Sequence, residues 1–184
     1  FYHPEEDTDV RTADELLDIY LDAVGANASL LLNIPPDTRG RIAAPDCASL
    51  TELGTKIQQI FACNVTEKAE ITADSAIAQH PITQAVDGMA DTYWQAAYGQ
   101  ESDTITLKFS KPQKISCVVL GEHLPTGQRI ESGEIWADGS KAAEFTVVGH
   151  KRICRFAPVD VQTLTIKITA SRTEPTLRLL EVYQ

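Results

Sequence analysis

Four carboxylates crowd the opening stretch FYHPEEDTD, namely Glu5, Glu6, Asp7 and Asp9. Carboxylates are common general acids, bases and nucleophiles, so chemistry is sought here first. Their position argues against it. Thr12 and Glu15 follow at the spacing of a capping box, which marks a helix start. Acids just ahead of a helix favour its positive end and face water. Cys47, Cys63, Cys117 and Cys154 form no C-x-x-C pair and no zinc spacing. They read as buried free thiols, although nothing in the sequence excludes any of the three pairings four cysteines permit. Asp87-Gly88 and Asp138-Gly139 read as turns. Asn27-Ala28-Ser29 and Asn64-Val65-Thr66 match the glycosylation sequon, a motif too short to name a compartment; Asn27 is expected in a tight turn.

The elements that must position these groups belong to a chain of 184 residues, long enough for one or two domains with a real core. Its apolar fraction of 43% is that of an ordinary globular protein. The net charge of −10 is uneven, with 11 acids against 4 bases in residues 1–60 and 15 against 12 in the rest. That balance disfavours a nucleic-acid partner, which would require a basic face. No run approaches the ~20 apolar residues of a membrane span. The chain opens without methionine or a secretory segment and reads as beginning inside a fold.

Residues 1–60 read helix, strand, helix. Leu16, Leu17, Tyr20, Leu21 and Val24 recur at helical spacing, predicting a helix over 13–24 that Gly25 ends. Ser29-Leu30-Leu31-Leu32-Asn33-Ile34 reads as a strand over 29–34, apolar on both faces and ended by Pro35-Pro36. Such a strand belongs in a parallel sheet covered by helices. After the turn Asp37-Thr38-Arg39-Gly40, Asp46 is expected to cap a helix over 47–61 with a stripe of Leu50, Leu53, Ile57, Ile60 and Phe61. One parallel strand needs parallel neighbours, so this third of the chain reads as the end of a larger α/β fold. The alternative is a small helical cap on the second half.

From about residue 69, after a connector at 62–68, the grammar changes to period-two alternation. Ile105, Leu107 and Phe109 alternate with polar residues, as do Leu164, Ile166 and Ile168. Further runs lie near 114–120, 130–137, 143–149, 151–156 and 176–183. Eight or so short strands over 69–184 predict a β-sandwich of jelly-roll type. Trp94 reads as a core residue, and Trp136 sits in a strand pattern.

Two family resemblances now attach to these residues. FYHPEED…VRTADELLDIYLDAVGANASLLLNIPPDTRGRI…SLTELG resembles the end of the catalytic domain of α-L-fucosidases, retaining glycoside hydrolases on a (β/α)8-like barrel. AVDGMADTYW, ITLKF, EHLPTGQRIESGEI, GHKRICRF and LLEVY resemble the module that follows the barrel in plant and bacterial fucosidases. That module is of the discoidin or coagulation-factor C-domain kind, galactose-binding-domain-like, with many carbohydrate-binding modules among its relatives. The resemblance implies an α+β chain in which 1–61 closes the barrel and 69–184 forms the sandwich. It implies a parent enzyme that cleaves terminal α-linked L-fucose from glycans with retention, and a secreted or periplasmic setting. A stand-alone carbohydrate-binding or adhesion module with a helical N-terminal cap is the alternative.

Retaining hydrolysis needs two carboxyl groups about 5–5.5 Å apart. No position of this chain matches the family's nucleophile motif, so the resemblance places the catalytic carboxylates upstream and predicts that this chain alone is inactive. It makes Phe1 and Tyr2 candidates to line the sugar pocket; their packing against a loop is the plain alternative. It makes Asp87, Thr92 and Glu181, with backbone near Ala85 and Ala90, candidate ligands of a structural calcium, a hard cation taking oxygen donors. No cofactor for catalysis is implied. Tyr98, His123, Arg129 and Arg172 are the residues expected to meet a sugar or dock on the barrel, with docking favoured because no stacking tryptophan is evident.

Overall fold

The computed structural model describes residues 9–184, which form two α-helices and a mostly antiparallel sheet, an α+β chain. Helix α1 is Ala13–Val24, and its capping box is formed: the Glu15 amide donates to Thr12 Oγ1 at 3.3 Å, and the Thr12 amide donates to Glu15 Oε2 at 2.8 Å. Helix α2 is Ala44–Ile60 and starts at Ala43, with Pro45 in its first turn. Asp46 therefore sits inside the first turn and is not the cap; proline, which needs no intrahelical partner there, sets the start. Ala13, Leu16, Leu17 and Leu53 bury one face of each helix against the other, and Lys56 of α2 reaches Asp14 of α1 at 2.9 Å.

The strand expected at 29–34 is not formed. Residues 28–35 run without a ladder among the described residues, and Leu31 is 94% exposed. Leu32 turns inward on the helix pair, while the neighbouring Leu31 meets no cover. A strand exists through its partners, and apolar alternation alone cannot supply them. The turn after it is formed, with Asp37 accepting the amides of Arg39 and Arg41 at 2.8 and 3.1 Å.

The β-strands are β1 Ala69–Ala73, β2 Trp94–Gln95, β3 Asp103–Gly121, β4 Ile130–Ala137, β5 Ser140–Phe145, β6 Arg152–Ser171, β7 Thr176–Leu177 and β8 Leu179–Tyr183. The main sheet runs β1-β3-β6-β4-β5 with β8 also on β3, and β2 pairs with β7. Runs expected as separate strands are fused. The segments 105–109 and 114–120 are halves of β3, and 151–156 and 164–168 belong to β6 apart from Lys151. β3 and β6 pair along both halves, with a register shift between Lys108 and Gln113 around Pro112. Proline lacks an N–H, so it is tolerated where a ladder shifts. β1 pairs with the first half of β3 and β8 with the second.

One core joins the two halves: Trp94, Ile105, Leu107, Ile115, Val118, Leu120, Leu164, Leu180 and Val182 belong to a single buried cluster. Val65 is buried in it and donates its amide to Val182 O at 2.8 Å, so the segment at 62–68 is laced into the sheet. Cys117-Val118-Val119-Leu120 is buried on both faces because the end of α2 covers the outer one. There Ile60 and Phe61 pack on Cys117, Val119 and Tyr183. The Phe61 and Tyr183 rings meet edge to face at 5.2 Å. The four cysteines are free thiols, with Cys117 and Cys154 buried and Cys47 exposed. Among the described residues no helix is long and apolar enough to cross a membrane.

Candidate functional site

The loops at one end of the sheet are organised by Glu122, which closes the apolar end of β3 and is fully buried. Its Oε1 accepts the amides of Arg129 and Ile130 at 2.6 and 2.8 Å, and its Oε2 accepts that of Gly149 at 2.6 Å. Charge-assisted bonds to three amides satisfy a carboxylate that burial would otherwise penalise. The loop 123–129 is thereby pinned at both ends, with a helical turn at Leu124–Thr126 between them.

Three of the expected rim residues gather around Glu174. Arg129 Nη1 donates to Glu174 O at 2.7 Å, the Gly99 amide beside Tyr98 donates to Glu174 Oε1 at 2.8 Å, and the Arg172 amide donates to Arg129 O at 2.9 Å. Tyr98 is 76% exposed. Arg172 Nε is held by Glu131 at 2.9 Å. The Gly99 amide and then the Thr173 hydroxyl hold the Glu174 carboxyl down to about 2. Both arginines thus spend hydrogen bonds on the protein itself.

His123 departs from this group. Its ring stacks on Tyr93 with centroids 3.9 Å apart and planes 10° apart, and Tyr93 stacks on His80 at 3.9 Å and 20°. Burial, and then the neighbouring His80, lower the His123 pKa. A polar cleft of about 550 Å³ opens beside β1, and Asp74, Ser75, Gln100 and Asp103 are among the residues that line it. Asp103 receives the Ser75 hydroxyl at 2.5 Å, and burial raises its pKa.

Of the candidate calcium ligands, Ala85, Asp87 and Glu181 line one cleft of about 210 Å³. Thr92 Oγ1 donates to Asp87 at 2.8 Å, and the Met89 amide donates to the same carboxylate at 2.9 Å. Ala90 is outside the lining, and Tyr183 donates its hydroxyl to Glu181 at 2.9 Å. Among the described residues no group of three or more His, Cys, Asp or Glu side chains stands where it could hold a metal. The oxygen donors suit a hard cation in kind, and backbone carbonyls would have to supply most of its shell. Phe1, Tyr2, Glu5, Glu6 and Asp7 lie outside the described residues.

Glu122, Glu174, His80 and Tyr93 are not among the residues that the sequence singles out as a site. A carboxylate directly after the buried run CVVLG is the one local hint for Glu122. The others are brought together over long separations that leave no periodic trace.

Fold and site together define an antiparallel β-module whose loop end is tied by internal carboxylates and whose back is covered by a helix pair. Residues 64–178 match the family described as Domain of unknown function (DUF7402), and by that match the chain belongs to this family. Residues 1–59 match the Alpha-L-fucosidase family. Alpha-L-fucosidase 1 of Arabidopsis thaliana is 30% identical over 195 residues, covering 100% of this chain, which spans 38% of that protein's length. A solved GH29 fucosidase of Ruminococcus gnavus, in complex with fucose, superposes with TM-score 0.86 at 27% identity over 95% of this chain and 37% of its own. The chain is thus similar over nearly its whole length to part of these fucosidases and spans about two fifths of theirs. The family 32 carbohydrate-binding module of C. perfringens NanJ, in complex with galactose, covers 66% of this chain and 98% of its own at TM-score 0.58 and 21% identity, a likeness of fold alone.

Proposed function

We propose that the chain is the C-terminal part of an α-L-fucosidase that removes terminal α-linked L-fucose from glycans with retention. In this reading residues 1–61 end the catalytic barrel, 69–184 form an accessory discoidin-like sandwich, and the catalytic carboxylates lie upstream. The carrying observation is Leu31, 94% exposed in an apolar segment between two packed helices. Such exposure supports the reading, because a barrel strand cut off from its neighbours would leave an apolar side chain uncovered in this way. The test compares two polypeptides on 4-nitrophenyl α-L-fucoside. The parent reading frame should release nitrophenol and residues 1–184 alone should not; an inactive, folded parent would overturn the reading.

The rim of Tyr98, Arg129 and Arg172 is proposed to dock on the barrel. Internal bonds made by both arginines favour this over independent sugar capture. Calorimetry with fucose and with galactose should show no saturable binding by residues 1–184 up to millimolar sugar. The shared cleft of Ala85, Asp87 and Glu181 supports a structural calcium, with Asp87 and Glu181 giving carboxylate oxygens. Calcium should then raise the melting temperature of the wild type, and Asp87→Ala should abolish that rise.

A further inference from the structure

The stack of His80, Tyr93 and His123 joins three segments far apart in sequence: the loop after β1, the approach to β2 and the loop after β3. Both ring contacts are face to face at 3.9 Å. His80 Nδ1 lies 3.1 Å from Gln84 Oε1, so its N–H has an acceptor. His123 differs. Its Nδ1 is buried with no protein hydrogen-bond partner. A neutral imidazole can leave a lone pair there, whereas an imidazolium must bury an N–H with no acceptor.

The surrounding charges favour the same state. His80 across the Tyr93 ring, Arg129 on the same loop and Arg178 between β7 and β8 oppose a positive charge on His123, and Asp91 on the Tyr93 segment favours it. Glu122, the adjacent carboxylate, is turned onto the amides of Arg129, Ile130 and Gly149. Between the anchors at Glu122 and Arg129, the loop keeps Leu124 partly exposed and Gly127 at a φ of +93°. The His123 stack is a side-chain contact that ties this stretch to the 80–93 segment.

We propose that the His80–Tyr93–His123 stack is an acid-sensitive clasp, closed while His123 is neutral and released when His123 is protonated, freeing loop 123–128 and one face of Tyr93. The clasp stands apart from the fucosidase reading and holds whatever the parent enzyme does. Burial lowers the His123 pKa, so release falls below the ordinary imidazole value of about 6.5.

Amide hydrogen exchange on the 184-residue chain tests this, with rates corrected for their intrinsic pH dependence. Protection across 123–128 should fall about tenfold between pH 7.5 and pH 5, while strands β3 and β6 keep theirs. His123→Phe keeps an aromatic face without a titrating nitrogen and should hold the loop closed at pH 5. Equal protection at both pH values in the wild type, or an equal fall in His123→Phe, would overturn the clasp. An NMR titration of the wild type covers failure of the variant to fold. The midpoints of the His123 and Tyr93 ring signals should coincide, and separate midpoints would also overturn it.

Discussion

Glu122 Oε2 lies 2.6 Å from the amide nitrogen of Gly149, and the next amide along, that of His150, donates to Asn27 Oδ1 at 2.6 Å. A buried carboxylate thus stands one residue away from one of the contacts that fix the helix pair to the sheet. Asn27 adopts a φ of 69° to reach it, and Ile153 donates its amide to Gly25 O at 3.0 Å alongside. The loop carrying His123 and Arg129, the β5–β6 turn and the end of α1 are therefore held in series.

Replacing Glu122 tests how much rests on this link. Glu122→Leu leaves the amides of Arg129, Ile130 and Gly149 buried without acceptors. Unsatisfied buried donors and loss of a charge-assisted network make the expected cost on the order of 3 kcal/mol. Urea unfolding followed by tryptophan fluorescence reads it as a lower midpoint. A midpoint within error of the wild type would mean that the amides find other partners.

Gly149 and Asn27 should behave as a coupled pair. Gly149 has a φ of +58°, and a Cβ there would stand 2.2 Å from Asn27 Nδ2. Gly149→Ala therefore combines strain with a clash and should cost about 2 kcal/mol. Adding Asn27→Gly keeps the left-handed backbone at 27 and removes the clashing amide. The double variant should then be more stable than the sum of the single effects allows, in a denaturant double-mutant cycle. Additive costs would show that the two residues are not in direct contact.

Glu174 gives a pH dependence with a definite sign. The Gly99 amide, then the Thr173 hydroxyl, hold its carboxyl down to about 2, below the ordinary value of about 4.3. A carboxyl depressed on folding contributes stability above its unfolded pKa and loses it as pH falls through the folded one. The wild type should exceed Glu174→Gln in stability at pH 6, with the difference shrinking below about pH 4.3 and lost as pH falls through about 2. Thermal unfolding at a series of pH values reads this directly; a constant difference would contradict the assignment.

What the sequence disclosed was local. The Thr12–Glu15 box, the α1 stripe and the alternation at Ile105, Leu107 and Phe109 each depend on neighbours a few residues away, and each is formed. What it concealed depends on partners. SLLLNI has a strand's composition and no ladder, because backbone pairing needs a second chain segment in place. Pro112 looks like a break between strands, yet the chain passes it with a register shift because β6 follows on the other side. Asp87 and Glu181, which only a resemblance singles out, line one cleft. The His80–Tyr93–His123 stack crosses three loops, and no periodicity or spacing records it.

The cysteines offer a prediction that needs no variant. Burial raises the Cys117 thiol to about 11 and the Cys154 thiol to about 12. The thiolate is the reacting species, so both should be inert at neutral pH for two independent reasons, access and ionisation. They lie on adjacent strands, where Cys154 pairs with Val118, one residue along from Cys117. Neighbouring side chains alternate faces, so Cys117 points to the α2 side and Cys154 into the main core. A disulfide between them would need one strand to flip. With a thiol reagent such as 5,5′-dithiobis(2-nitrobenzoate), exposed Cys47 should react first, half-buried Cys63 more slowly, and Cys117 and Cys154 after unfolding in urea. Rapid native labelling of Cys117 would show instead that the end of α2, with Ile60 and Phe61, lifts off the sheet.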